Sequence, residues 1–270
     1  MVASITGVYL MAIPAIALSA LAWGGLICVL SGGKDRYFWL MLPALPMSAA
    51  VNVLVKRPLA MEAAQMGGIT PGLRPDAPFW YLAVLLLLAP LTEEAIKVAP
   101  LLWPPARALI ADGCAALYAG MWLGLGFGLG EAAFLAYGVS LNSTYTEMPW
   151  YLFTGFLWER FAVCFAHAVF SAIVVVSLRR GPGGLLLGYA IAAALHALTN
   201  LGAMLYQLEL ISGEAWQGYL AASLLLLAVI IRRERRSQTG SSYSAAVCPA
   251  GGASTGRRQM LRLAASCFRR

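Results

Sequence analysis

Apolar runs of about helix-spanning length, separated by short polar links, set the pattern of this chain. About 20 apolar residues carry a helix across the hydrocarbon of a bilayer. On that ruler the sequence predicts transmembrane helices near residues 5–31, 37–55, 79–103, 109–138, 151–178, 184–206 and 215–231. The links are short except for 56–78, which holds Pro58, Gly67, Gly68, Pro71, Gly72, Pro75 and Pro78. The first apolar run has no Lys or Arg before Lys34 and is too long for the core of a cleavable signal, so it reads as a retained span. The expected fold is all-α: a polytopic transmembrane bundle of about seven spans.

Charge then orients the pattern. Arg179 and Arg180 follow the fifth run, and Arg232, Arg233, Arg235 and Arg236 follow the seventh, whereas the 140–150 and 207–214 links contain no Lys or Arg. The positive-inside bias puts the C-terminus in the cytoplasm and the N-terminus outside. Lys34, Arg36 and Arg107 agree with this, while Lys56, Arg57 and Arg74 disagree, because their link falls outside. The chain divides into a bundle over 1–231 and a basic tail over 232–270. From residue 237 the tail is rich in Ser, Gly and Ala and is expected to be mostly disordered. Its end, RRQMLRLAASCFRR, reads either as a short basic amphipathic stretch suited to an anionic leaflet or as an unstructured extension.

Composition supports this class, with 60% apolar and 11% charged residues and a mean hydropathy of +0.74. The net charge of +7 is a property of the tail. Nine of the 19 Lys and Arg lie from Arg232 onward with a single acid, Glu234, which leaves ten bases against eleven acids before it. Nothing in that balance calls for a nucleic-acid partner. Cys28, Cys114 and Cys164 fall in apolar runs and read as small, buried, inert thiols. No CxxC spacing occurs, so neither a zinc ribbon nor a disulfide framework is suggested.

Against this background a few ionisable groups stand out. The chain has two histidines, His167 and His196, and both lie inside apolar runs, as do Glu93, Glu94 and Glu131. Each such group costs roughly 2.5–3.5 kcal/mol on insertion scales, so it is rare unless paired or used. Glu with His is also the set needed to hold a metal or activate a water. Glu93 and Lys97 are four apart in the favourable order for an ion pair, and the alternative is a helix end with a snorkelling Lys. Gly120, Gly124, Gly126, Gly128 and Gly130 precede Glu131. With no strand ahead of them they read as close-packing positions rather than a nucleotide loop. His167 lies about two turns beyond Arg160 on one face, with Glu159 beside Arg160 and available to it or to Glu131. His196 and Asn200 also share a face, where the amide can orient the ring or donate to a developing oxyanion.

The order of these elements resembles the PrsW and YhfC group of intramembrane proteases, relatives of the CAAX-protease and bacteriocin-processing superfamily. The resemblance covers about residues 79–206. Glu93, Glu94 and Lys97 match a Glu-Glu-x-x-Lys motif, Glu131 a glycine-rich helix carrying a Glu, His167 an isolated His, and His196 with Asn200 a His-x-x-x-Asn motif. WERFAVCFAHAVFS looks closer to the YhfC branch. Lys97 stands one position earlier than the Arg of the superfamily's better-known Glu-Glu-x-x-x-Arg form, which favours the PrsW-like branch and weighs against prenylated substrates. The resemblance implies peptide-bond hydrolysis within or near the membrane, on a multispan helical fold with a central polar cavity.

The resulting expectation is an intramembrane endopeptidase acting on membrane proteins or membrane-anchored peptides in the lipid bilayer. Glu93 or Glu94 is the general base on a water positioned by His167 and His196, and Asn200 or Lys97 stabilises the oxyanion. In one form a divalent metal, zinc, bridges the histidines and one carboxylate, with Glu131 as the third candidate ligand beside His167 and His196. Two His and one carboxylate with an open water position is a known catalytic zinc arrangement. The other form is a metal-free glutamate mechanism. A competing class is a small transporter or proton-coupled carrier using a Glu/His relay, which predicts internal repeats. The two halves show no convincing self-similarity. A scaffold whose polar residues only join helices is the third reading.

Overall fold

Thr6–Leu30 forms α1, followed by a 3-10 turn over Asp35–Leu40, α2 over Met41–Val51, a π-helical turn over Asn52–Lys56 and α3 over Arg57–Met66. Then come α4 (Phe79–Ile96), a 3-10 turn (Ala99–Leu102), α5 (Pro104–Ala108), α6 (Gly113–Ser140), α7 (Ser143–Thr146) and a 3-10 turn (Trp150–Phe153). The chain closes with α8 (Thr154–Leu178), α9 (Gly181–Gln207) and α10 (Gly213–Ser242). This computed structural model describes residues 6–33, 35–146 and 148–242, and its regular structure is entirely helical among the described residues.

Among the described residues six helical stretches, one fewer than expected, are long and apolar enough to cross a membrane: Gly7–Leu30, Arg36–Met66, Gly113–Ser140, Trp150–Leu178, Gly181–Gln207 and Gly213–Gln238. The expected span at 79–103 is the one that differs. Its helix, α4, stops at Ile96 after 18 residues, about 27 Å at 1.5 Å per residue. Its last two turns carry Glu93 and Glu94. Beyond it the apolar run Val98–Trp103 is taken up by a 3-10 turn containing Pro100, then by α5, which begins on Pro104 and Pro105.

Two other boundaries move outward. The second stretch runs to Met66 rather than ending near 55, because Pro58 falls in the first turn of α3, where a missing N–H does no harm. Lys56 and Arg57 therefore lie within a helix and not in a link. At the other end, α10 continues past 231 to Ser242, beyond the expected edge of the bundle. Glu234 accepts from Gln238 at 2.6 Å and lies 3.7 Å from Arg180, and Arg235 donates to the Leu30 carbonyl at 3.4 Å. These partners hold the basic turn against α1 and α9. Residues 243–270, including the RRQMLRLAASCFRR stretch, lie outside the described residues.

The bundle is built around α6 and α8, which are buried along most of their length. Asp112 caps α6 by accepting from the Ala115 N–H at 2.7 Å. The glycines of α6 then divide into two stripes. A Cβ at Gly120 would stand 2.6 Å from the Ala172 Cα, one at Gly128 would stand 2.9 Å from the Cys164 Cα, and one at Gly124 would collide with the His167 carbonyl. Gly126 and Gly130 present the same bare backbone to the Met41 and Leu45 carbonyls of α2. Close approach on two sides is therefore what this glycine pattern provides. Leu, Ile and Val side chains such as Ile13, Leu54, Leu186 and Leu225 remain exposed on the outer helices, as a lipid-facing surface requires.

Cys28 is half-buried, and Cys164 is a buried free thiol. Cys114 is buried, as expected. In the 67–78 link, Arg74 holds Asp76 in an exposed two-bond pair at 2.9 and 2.8 Å, and those bonds keep the Asp76 carboxyl below its ordinary value.

Candidate functional site

The last turns of α4 place Glu93 and Glu94 side by side within the bundle, and Lys97 caps the helix through its N–H to the Glu93 carbonyl at 3.0 Å. None of the three side chains exposes any surface. The helix is anchored here by Tyr189 of α9, whose hydroxyl donates to the Leu91 carbonyl at 2.7 Å. The anticipated pairing of Glu93 with Lys97 does not form. Lys97 Nζ instead meets Glu94 Oε1 at 2.5 Å, three residues back. Glu93 Oε1 takes a different partner, Lys56 Nζ, at 2.6 Å. Because Lys97 lies past the end of α4, regular-helix spacing does not govern where its side chain goes.

The two histidines arrive from α8 and α9 and meet at this cluster in a T-shaped contact, their ring centroids 5.2 Å apart. Lys97 Nζ lies 2.7 Å from His167 Nδ1. An ammonium has only donors, so Nδ1 accepts and the proton of a neutral ring sits on Nε2. That Nε2 faces Glu131 Oε2 at 3.0 Å, and Arg160 Nη1 donates to the same oxygen at 3.1 Å. Glu159 pairs with Arg160 at 2.5 Å. His196 is held differently. Its Nδ1 lies 2.7 Å from Glu94 Oε1, and its Nε2 lies 3.9 Å from Glu93 Oε2. With Nδ1–H donated to the carboxylate, Nε2 carries a lone pair, and Glu93 Oε2 lies 3.9 Å from it. Both Glu93 Oε2 and Glu94 Oε2 are buried without a hydrogen-bond partner.

Aromatic rings enclose the cluster. Phe127 meets His167 edge-on at 5.3 Å, Phe170 stacks on His196 at 5.2 Å, and Lys97 Nζ lies 4.6 Å from the centre of Phe127 and 5.8 Å from that of Phe170. Such contacts partly replace the hydration that an ammonium loses on burial.

A cavity of about 260 Å³ opens onto this centre. Its polar lining includes Lys56, Glu131, Arg160, His167, His196 and Asn200, and its apolar walls come from α4, α6, α8 and α9. Glu93, Glu94 and Lys97 lie deeper than the lining. Seven expected residues, Glu93, Glu94, Lys97, Glu131, His167, His196 and Asn200, thus gather at one place, but not in the expected arrangement. Lys97 does not line the cavity, and its contacts make it a brace for Glu94 and His167 rather than a donor to a substrate. Asn200 faces the cavity, while the nitrogen of His196 that needs orienting is held by Glu94.

Glu93, His167 and His196 each bring a ligand atom within 4.8 Å of the others, a group able to hold a metal ion. Its carboxylate is Glu93, and Glu131 is instead committed to His167 and Arg160. The fit is incomplete on the histidine side. Glu93 Oε2 and His196 Nε2 are open, but both nitrogens of His167 are engaged. A metal on Nε2 would displace the Glu131 contact and force an N–H at Nδ1 against the Lys97 ammonium.

Lys56 was missed as a site residue. No local signal in the sequence marked it, since Arg57 and Arg74 stood against the same charge bias and do not line the cavity. Comparison of the chain with protein-family models, curated proteins and solved structures finds no match in any of the three.

Proposed function

We propose that this protein is an intramembrane hydrolase that cleaves peptide bonds of membrane-associated proteins, and that Glu93 and His196 activate the attacking water. The observation that carries the reading is the pair Glu93 Oε2 and His196 Nε2, 3.9 Å apart, with Glu93 lying behind the lining of a cavity that both histidines border. That separation suits one bridging water, which donates one hydrogen to each atom and turns its oxygen towards the cavity. As the oxygen bonds to the substrate carbonyl carbon, Glu93 takes the proton. When the C–N bond breaks, Glu93 returns that proton to the departing amine. Glu94 keeps His196 in the tautomer that accepts from water, the role a buried carboxylate plays towards a catalytic imidazole. The Asn200 amide, on the cavity wall, supplies a donor for the oxyanion. The likeness of the Glu-Glu-x-x-Lys, Glu, His and His-x-x-x-Asn series to PrsW- and YhfC-type proteases supports the peptide bond as the scissile bond.

Zinc is the metal this donor chemistry would take, and as the site stands it offers two free protein ligands where catalytic zinc sites use three. The mechanism therefore runs through the chain's own acid and imidazole. A cytoplasmic C-terminus, as the arginines after α8 and in the later turns of α10 indicate, would put the 140–150 and 207–214 links at the other surface.

The test compares protein N-termini in membranes of cells expressing the wild-type chain or Glu93→Gln at equal levels. New termini present with the wild type and reduced about 10²–10⁴-fold in the variant, the usual weight of a general base, support the reading. Identical sets of termini overturn it.

A further inference from the structure

We propose that Lys56 is a positioning residue of this centre: it grips one oxygen of Glu93 so that the other faces His196. The inference rests on the hydrolase reading and adds to it a residue from outside the motif helices. A carboxylate flanked by a second carboxylate, in a setting without solvent, turns towards whichever donor it can find. Glu94 has two, Lys97 and His196. For Glu93 the donor is Lys56, at 2.6 Å from Oε1. With that oxygen tied, Oε2 is left without a hydrogen-bond partner, 3.9 Å from His196 Nε2. Each buried acid thus has its own ammonium, and the one serving Glu93 comes from the second membrane stretch.

The backbone is built to deliver it. The buried positions of α2 are Ala44, Ser48 and Val51, a helical spacing whose next member is Val55. Lys56 takes that place because Asn52–Lys56 forms a π turn, in which the Arg57 N–H reaches back five residues to the Asn52 carbonyl. One extra residue rotates the downstream helix by about 100° relative to a continuous α-helix. The Asn52 amide supports the turn by donating to the Ser48 carbonyl at 2.8 Å. π turns persist in helices mainly where function keeps them, and here the turn ends on the lysine that reaches the acid. Lys56 is also the half-buried partner, 19% exposed against 0% for Glu93, so it stands between the acid and the cavity it lines.

The experiment uses the full chain in cell membranes, with Lys56→Met, Lys56→Arg and Glu93→Gln compared with the wild type by the same N-terminal survey. Thermal unfolding of each purified protein in detergent is measured alongside. A misplacement of 1 Å in a reacting group can cost about 10²-fold, so Lys56→Met is expected to reduce the wild-type termini by about that factor. Lys56→Arg, which keeps a cation within reach of Oε1, is expected to recover most of the cleavage. Melting supplies a readout independent of cleavage: Lys56→Met should lower it in the wild-type background and much less in the Glu93→Gln background, where no buried charge is left unpaired. Full cleavage by Lys56→Met, with Glu93→Gln inactive, overturns the proposal and leaves the hydrolase reading standing. Equal loss in Lys56→Met and Lys56→Arg, with melting preserved, also overturns it. Wild-type and Glu93→Gln membranes with the same termini overturn the hydrolase reading itself.

Discussion

Replacing Lys97 by Met retains most of the side-chain volume and removes the ammonium that Glu94, His167, Phe127 and Phe170 share. Glu94 exposes no surface and meets Lys97 at 2.5 Å, so the variant leaves a carboxylate buried with only the His196 N–H for support. Breaking a buried ion pair on one side costs about 3–5 kcal/mol. The contacts of the ammonium with Phe127 and Phe170 add roughly 0.5–2 kcal/mol. A loss near 4 kcal/mol corresponds to about a thousandfold shift in the folding equilibrium. Glu94→Gln in the same chain removes the unpaired charge while leaving an acceptor for the His196 N–H, so the double variant is expected to recover most of that loss. The assay is equilibrium unfolding in mixed micelles of increasing SDS fraction, followed by tryptophan fluorescence, on the wild type, both single variants and the double variant. A cost below about 1 kcal/mol for Lys97→Met, the range of a solvated surface pair, would refute the argument. So would a double variant no more stable than Lys97→Met alone.

Two further expectations concern packing and metal. Gly124→Leu forces α6 away from the His167 carbonyl and with it stretches the 3.0 Å His167–Glu131 contact; overpacking of this kind costs about 1–3 kcal/mol, and cleavage should fall further than the melting temperature alone accounts for. Elemental analysis of the detergent-purified chain should show well under one equivalent of zinc, with cleavage unchanged after chelation. A full equivalent that disappears in His167→Ala/His196→Ala would reinstate the metal form.

The long apolar runs made α1, α6, α8 and α9 legible within a few residues, because in a bilayer the length of a run is itself the structural constraint. Where the sequence misled, a local signal gave way to a tertiary partner. Lys56, Arg57 and Pro58 look like the start of a link, yet the helix continues through a π turn because Glu93 waits for Lys56. The apolar Val98–Trp103 looks like more of α4, yet the prolines at 100, 104 and 105 turn it into short turns. The basic residues after 231 look like the start of a tail, yet Glu234 finds Arg180 and Gln238. In the site, residue types and their gathering could be read from the rarity of charge in apolar runs. Which acid takes which cation could not, since it depends on where α4 ends and on a lysine 37 positions away from Glu93.

The glycine stripe of α6 divides the molecule mechanically. Gly120, Gly124 and Gly128 lock α6 to α8 backbone against backbone, so His167, Glu131 and Arg160 ride on one stiff block. Glu93, Glu94 and Lys97 ride on α4, which packs chiefly on α9 and touches α8 only sparsely. The Lys97–His167 contact is thus a clasp across a seam, and the same ammonium braces Glu94 on the α4 side. Parting α4 from the block at that seam would release the contact that sets His167 in its tautomer, while the contacts of His196 with Glu93 and Glu94, carried by the packed pair α4 and α9, would move together.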